Sequence, residues 1–377
     1  MISAAQPIAL SDAQLSAVTH ACYGFVPHIQ RLPGEYDTNA VVIHPDGQRF
    51  VLKIMHPERA TSFVEMQIAA LTHLAQTATS VPVQRVIPQI NGAQWSLQTI
   101  AEQPQIVWML SYLEGTLFAE ANPVDDSLVT HLGHLLGQID AGLQHFSHPA
   151  TIRTLEWDVM RASWIGEYLH TITDLAQQTI VRDMLARFEA TIASHGAALR
   201  QGIIHGDAND YNLVVGAPGY QKRQISGVLD FGDMMQTAVV SELAISAAYA
   251  MMRHPQPLDA LMLMTSAYHA QFPLNEAEVA ALFDLICMRL CISVTVSAIR
   301  KQQRPDDPYM VVSEAPAWQL LGLLAKTHPR MIHYRLRNAV AIRRYPNTTA
   351  SWLGLLSNRR HRCWGANWLR TRPWHST

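Results

Sequence analysis

Two short stretches set carboxylates and amides beside apolar runs: HGDANDYNLVV, His205–Val215, and LDFGDM, Leu229–Met234. Carboxylates held so close repel one another, so Asp207, Asp210, Asp230 and Asp233 need a cation among them or water around them. The residue types suit a small, hard cation. Mg²⁺ selects carboxylate and amide oxygens and keeps several waters besides. Phosphoryl transfer from a nucleotide needs a carboxylate at the acceptor hydroxyl, oxygen ligands for the metal, and a cation on the phosphates. Asp207, Asn212 five residues on, and the later Asp230-Phe231-Gly232 have the order and spacing of that machinery. In this reading Asp207 orients the acceptor hydroxyl, and Asn212 and Asp230 hold Mg²⁺. His205 belongs to the same catalytic motif, as a hydrogen-bonding scaffold rather than a proton carrier, because the base role is filled. An Asx turn explains Asp207 and Asn212 taken singly. It does not explain the paired spacing.

Such a site requires elements that present a lysine and a glutamate to the nucleotide. HIQRL, NAVVIH and RFVLKIM between 24 and 55 read as strands, with HPDGQ as a turn. Lys53 is the single lysine of the third strand. Phe63, Met66, Ala70, Leu71 and Leu74 have helical spacing from Glu58 to about Ala78. Glu65 lies on its first turns, and an ion pair with Lys53 is expected there. The two bland alternatives are a lysine that snorkels from a strand end and a solvated helix face. LPGEYDTNAVV precedes Lys53 where a glycine-rich loop would stand, and offers Gly34, the Thr38 hydroxyl and Asn39 to phosphates. VQRVIPQI and AQWSLQTI flank Asn91-Gly92 as a hairpin, and IVWMLSYLEG follows as a strand. Backbone groups from Met109 to Ser111 are placed to bond a purine edge, or else lie in a buried strand. After Gly115 the pattern turns helical over 125–146, 159–198, 238–253, 257–271 and 276–302.

The expected fold is therefore α+β and kinase-like with two lobes: 1–115 binding the nucleotide, 116–345 carrying catalysis and acceptor binding. Residues 346–377 form a basic tail. After Glu314 there is no acidic residue, ten arginines lie from Arg330 to Arg372, and four tryptophans from Trp352 to Trp374. No helical or strand period organises them, so a poorly folded extension is preferred over an arm for an acidic partner or a membrane surface. The net charge of −2 gives no basic field for nucleic acid. The N-terminus has no basic stretch followed by an apolar one, and the run LICMRLCISVTVSAI is interrupted by Arg289, so neither a secretory signal nor a membrane span is expected. Four scattered cysteines fit buried thiols in a reducing cytoplasm.

At these residues the chain resembles the aminoglycoside phosphotransferase family, a kinase-like fold acting on small molecules. The likeness rests on Gly34–Asn39, Val51-Leu52-Lys53-Ile54, Glu65, His205-Gly206-Asp207 with Asn212, and Asp230-Phe231-Gly232-Asp233-Met234. It covers roughly 20–345. Within that family, HGDANDYN with ISGVLDFGDM and SELAISAAYAMM is most similar to the hydroxylysine kinases. The resemblance implies an ATP- or GTP-dependent, Mg²⁺-requiring kinase of a small hydroxylated amine or amino acid, with 5-hydroxylysine the leading acceptor. Homoserine, choline, ethanolamine and aminoglycosides are the alternatives, as is a nucleotide-binding regulator that has lost catalysis. A cationic amino alcohol also needs carboxylates at its ammonium. Asp210, Asp233 and Glu242 are the candidates, or else Asp233 caps a helix near Thr237 and Glu242 anchors the catalytic loop.

Overall fold

β-branched and aromatic residues between 28 and 111 pair into one antiparallel sheet in a computed structural model that describes residues 7–34, 36–217, 223–303 and 314–341. Its strands are β1 (His28–Leu32), β2 (Thr38–Ile43), β3 (Arg49–Ile54), β4 (Trp95–Ile100) and β5 (Gln103–Ser111), in the order β1-β2-β3-β5-β4. Helix α1 (Asp12–Tyr23) begins at a capping box that the spacing of Ser11 and Gln14 in the sequence already signals, each bonding the other's backbone. Its Leu15, Val18 and Cys22 pack with Ala40, Val42, Leu52, Ile54, Val107 and Met109 on one face of the sheet. Each fully buried leucine or isoleucine there contributes about 1.5–3 kcal/mol. Side chains alternate along a strand, so Lys53, between Leu52 and Ile54, points to the opposite face.

The hairpin at Asn91-Gly92 does not form as a ladder. Gly92 does turn the chain, at φ +82°, but residues 84–90 make only an isolated bridge, Val86 to Leu110. Pro88 has no N–H to give a ladder. The hairpin partner of β4 is instead β5, through Ala101 and Glu102, both left-handed at φ 51° and 64°. Their signs match the twist a two-residue hairpin needs.

The remainder is mainly helical: α2 (Thr61–Thr77) beside the sheet, then α3 (Asp126–Leu143), α4 (Leu175–His195), α5 (Val240–Arg253), α6 (Pro257–Gln271), α7 (Glu276–Gln303), α8 (Glu314–Ala325) and α9 (Pro329–Ala339). The helix expected over 159–198 is divided. A 3₁₀ stretch covers Val159–Thr171, and α4 starts afresh behind an Asp174 cap. Where α3 crosses α6, a Cβ on Gly133 would meet the Met264 carbonyl oxygen at 2.2 Å, so only glycine admits the approach. Helix α7 is long and apolar enough, by composition, to cross a membrane, which the interrupted-run reading missed; 89% of its most apolar stretch is buried inside the protein. It is a core helix. Two small strand sets carry the polar motifs: β7 (Gln201–Ile204) with β10 (Met235–Ala238), and β8 (Leu213–Val215) between β6 (Thr116–Leu117) and β9 (Ile225–Val228). The class is kinase-like α+β, a sheet region followed by a mainly helical part. The basic tail from 346 lies outside the described residues.

Candidate active site

β7 ends at Ile204 and β8 begins at Leu213, so the HGDANDYN loop is stretched between two buried strands. Gly206 sits at φ +83°, and a Cβ there would meet the Asp233 carbonyl oxygen at 2.5 Å. Only glycine satisfies both demands. Its N–H donates to Glu242 Oε2 at 2.9 Å. Glu242 is fully buried on α5. It anchors the loop, the alternative weighed for it beside a substrate role, and its Oε1 has no partner among the described residues. His205 is equally buried. Its Nδ1 accepts from the Asp207 N–H at 3.2 Å, so Nε2 carries the hydrogen and donates to the Leu229 carbonyl at 2.8 Å. The imidazole thus joins the two motifs as a scaffold.

Asp207 is held on both oxygens. Oδ2 accepts from Asn209 and Asn212 Nδ2, each at 2.9 Å, and Oδ1 pairs with Arg289 Nη2 at 2.6 Å. Burial raises its pKa, and the Arg289 guanidinium opposes that rise. The Asn212 amide nitrogen also donates to the Asp207 carbonyl, while the amide oxygen of Asn212 has no hydrogen-bond partner among the described residues. The Asn212 carbonyl accepts from the Leu229 N–H at 2.8 Å, bringing Asp230 alongside. Asp230 is left-handed, φ 55°, with Oδ1 accepting from the Gly232 N–H at 3.0 Å. Strained backbone of this kind persists where the surroundings over-determine it. Lys53 Nζ lies 3.4 Å from Asp230 Oδ2 and holds that carboxyl below its usual range.

One amide oxygen and one half-exposed carboxylate fit Mg²⁺ bound largely through a nucleotide's phosphates and water. Among the described residues no three His, Cys, Asp or Glu side chains gather tightly enough to hold a metal unaided. Asn212 and Asp230 are the pair that would hold it.

The nucleotide side departs from expectation at several residues. Glu65 is exposed, and no ion pair joins it to Lys53, whose carboxylate partner is Asp230. The inward stripe of α2 runs through Val64, Met66, Gln67, Ala70, Leu71 and Leu74. Gln67 is two residues on from Glu65, about 200° round the helix, which turns Glu65 away. Phe63 is the α2 side chain that reaches the second motif: a Cβ on Gly232 would lie 3.5 Å from its ring. Thr38 spends its hydroxyl on the Ile8 carbonyl at 2.8 Å. Gly34 abuts the Asp37 carbonyl too closely for any side chain. Asn39 stands directly across the ladder from Lys53, and cross-strand partners share a face. Met109 and Ser111 are not free for a purine. The Ile87 N–H takes the Met109 carbonyl, while Arg85 and Gln84 take both backbone groups of Ser111. Past that strand, Tyr112 and Leu113 make no backbone hydrogen bond outside the sheet ladder among the described residues.

On the acceptor side, Asp210 is 6% exposed, its Oδ1 lacks a described partner, and burial lifts its pKa to about 6 against the pull of Arg253. Asp233 is raised by burial and then by Asp207 and Asp230, with Arg153 and Arg289 opposing. It caps no helix: β10 intervenes, and α5 starts at Val240 without a side-chain cap. Sequence reasoning missed Asn209, Arg153 and Arg289. The lone arginine in the apolar run of α7 was the available signal.

A loop aspartate, an asparagine five residues on and a second-motif aspartate salt-bridged to a strand lysine define a phosphotransferase site. Residues 28–274 match the family model described as "Phosphotransferase enzyme family", and the chain belongs to that family. It is similar to a hydroxylysine kinase of Danio rerio, 30% identical over 328 residues, covering 84% of this chain and 91% of the relative. The hydroxylysine kinase of Mus musculus is 28% identical over 345 residues, covering 85% and 91%. Among solved structures, an amicoumacin kinase in complex with AMP-PNP, Ca²⁺ and amicoumacin superposes with a TM-score of 0.64 at 14% identity, covering 86% of this chain and 97% of that one. A microcompartment-associated aminopropanol kinase gives 0.58 at 18%, covering 87% and 93%. These two speak to the fold alone. The chain is a small-molecule kinase, a phosphotransferase acting on a hydroxyl with a nucleotide donor.

Proposed function

We propose that this kinase is Mg²⁺-dependent and phosphorylates the hydroxyl of a small hydroxylated amine or amino acid, with 5-hydroxylysine the leading acceptor. The observation that carries the reading is the convergence of Asp207, Asn212, Asp230 and Lys53. The named relatives support the acceptor. Asp207 accepts a hydrogen bond from the acceptor hydroxyl and aims its oxygen at the terminal phosphorus. Asn209 and Arg289 fix the carboxylate while it does so. Lys53 turns from Asp230 to the phosphates when nucleotide enters, and Asn39 stands beside it. Bound at Asn212 and Asp230, Mg²⁺ would neutralise charge on the transferring phosphoryl group. Tyr112 and Leu113 offer backbone groups to the purine. Asp233 faces an acceptor ammonium beside the hydroxyl. A cytoplasmic setting belongs to the same proposal; the described cysteines, Cys22, Cys287 and Cys291, are free and buried.

The test is nucleoside diphosphate release from Mg²⁺ with ATP or GTP, using 5-hydroxylysine, homoserine, ethanolamine, choline and kanamycin in parallel. Turnover with 5-hydroxylysine alone is the expected result. Turnover with another acceptor discards the substrate and keeps the mechanism. Nucleotide binding with no transfer to any acceptor would overturn the catalytic reading in favour of a regulator, a reading favoured by the outward Glu65.

A further inference from the structure

Holding Asp207 occupies one edge of Arg289, yet this is one of the largest fully buried side chains among the described residues, 2% exposed, and it carries more donors than that task uses. It projects from an otherwise apolar part of α7. Trp157 lies against its guanidinium at 4.6 Å and Tyr249 at 5.4 Å from the ring centroids. Those rings fix the plane of the group. Nη2 bonds Asp207 Oδ1 at 2.6 Å and the Tyr249 hydroxyl at 3.1 Å, while Nη1 reaches the Trp157 carbonyl only at 3.5 Å. Nε is buried and has no partner among the described residues. Leaving such a donor unsatisfied is costly.

Position gives this free donor a meaning. A hydroxyl bonded to Asp207 sits about 2.7 Å from a carboxylate oxygen. That carboxylate is 2.6 Å from Nη2. The guanidinium therefore lies within one short carbon chain of the acceptor hydroxyl. Arginines also stand by the acids here: Arg289 pairs with Asp207 at 2.6 Å, while Arg153 and Arg253 pull, less strongly than burial, on Asp233 and Asp210. A purely cationic acceptor gains little from such a balanced pocket. A zwitterion finds both of its partners.

We infer that Arg289 is the acceptor-specificity residue, and that its guanidinium takes a carboxylate carried by the acceptor molecule. The inference rests on the kinase reading above for the acceptor's position at Asp207. A planar, always-charged fork held between aromatic rings suits a carboxylate better than a lysine would. The same group holds Asp207, so carboxylate capture and alignment of the base are joined in one side chain. Acceptors that lack the carboxylate leave its buried donor unpaired and are rejected.

The experiment compares matched acceptors by calorimetric binding to the full chain with Mg²⁺ and a non-hydrolysable ATP analogue, and by turnover with ATP. The pairs are 5-hydroxylysine with 1,5-diaminopentan-2-ol, and homoserine with 3-aminopropan-1-ol; the second member of each lacks only the carboxylate. In the wild type, the carboxylate-bearing member of at least one pair is expected to bind about 100-fold more tightly. Arg289→Met and Arg289→Lys, checked for folding by thermal melt, are expected to erase most of that discrimination in binding. Their kcat falls for both members, because Asp207 loses its hold. Equal wild-type affinity within the pairs, or no binding of any member, overturns the inference without any variant. Discrimination that survives Arg289→Met also overturns it. Discriminating binding without turnover would sink the kinase reading and leave this inference standing.

Discussion

The loop from His205 to Asn212 and the segment Asp37–Asn39, which the proposed function sets on the acceptor and phosphate sides of one site, are held in different ways. The first is fixed from a distance. Glu242 of α5 takes its glycine N–H, Arg289 of α7 takes its aspartate, and the Leu229 segment takes both His205 and Asn212. The second takes its ties from within residues 8–59. Asp37 accepts from the His56 N–H at 2.8 Å and pairs with Arg59 at 3.5 Å, and Thr38 bonds Ile8. The acceptor side is thus preorganised by packing of the whole helical part, as charge stabilisation in a transition state demands. The phosphate side leans on one lysine and on ties within the sheet region.

The contrast fails most visibly if the two loops respond alike to substitution. Asp207→Asn is expected to cost about 10³-fold in kcat, with nucleotide affinity changed less than about threefold. Steady-state kinetics and nucleotide titration measure both. A large loss of nucleotide affinity would show that the acceptor and phosphate sides are not separable. Gly206→Ala comes next. A left-handed alanine costs about 1–2 kcal/mol, and its Cβ must also displace the Asp233 carbonyl. The melting temperature should fall by several degrees, and kcat by about 100-fold as Asp207 shifts. A melt unchanged from wild type would show the loop to be softer than its ties suggest.

Lys53→Met and Glu65→Gln sharpen the phosphate side. Losing the lysine that pairs with Asp230 should lower kcat/KM for nucleotide by about 100-fold. The Glu65 change should stay within about twofold, because that side chain is exposed. If instead Glu65→Gln loses as much as Lys53→Met, α2 turns its glutamate inward in the working enzyme.

Much of this was legible in the sequence because local chemistry and tertiary need coincided. The capping box at Ser11, the apolar periods of α5, α6 and α7, and the paired spacing of Asp207, Asn212 and Asp230 all work that way. Where several faces compete, the reading failed. Glu65 was placed by distance along α2, although the apolar stripe that defines the helix already turned it outward. Thr38 and Ser111 have the right groups, but the structure spends them on Ile8 and on residues 84–85, far along the chain. The β4–β5 turn uses Ala101 and Glu102, which carry no turn signal, because the pairing of the strands dictates their conformation. Arg289 announced itself only as an interruption. Its partner, 82 residues away, cannot be read from a helix period.

The finest contrast lies between two buried aspartates in the same loop. Asp207 has a guanidinium at 2.6 Å; Asp210 has burial, an oxygen without a described partner, and only the more distant Arg253. Burial raises the folded pKa of Asp210 to about 6. The unfolded chain ionises near 3.9. Below about pH 4 the group is neutral in both states and costs nothing. Between pH 4 and 6 the unfolded state gives up its proton first, so stability falls as pH rises, and above pH 6 the full penalty of about 3 kcal/mol remains. Asp210→Asn removes the ionisation. It should raise the melting temperature at pH 7.5 and leave it nearly unchanged at pH 4. Asp207→Asn should do the reverse at pH 7.5, because it strands the buried Arg289 without its anion. Melts of both variants across that range decide the matter. Destabilisation of Asp210→Asn at pH 7.5 would mean that Arg253 pairs with an ionised Asp210, and that both aspartates of the loop are held as anions.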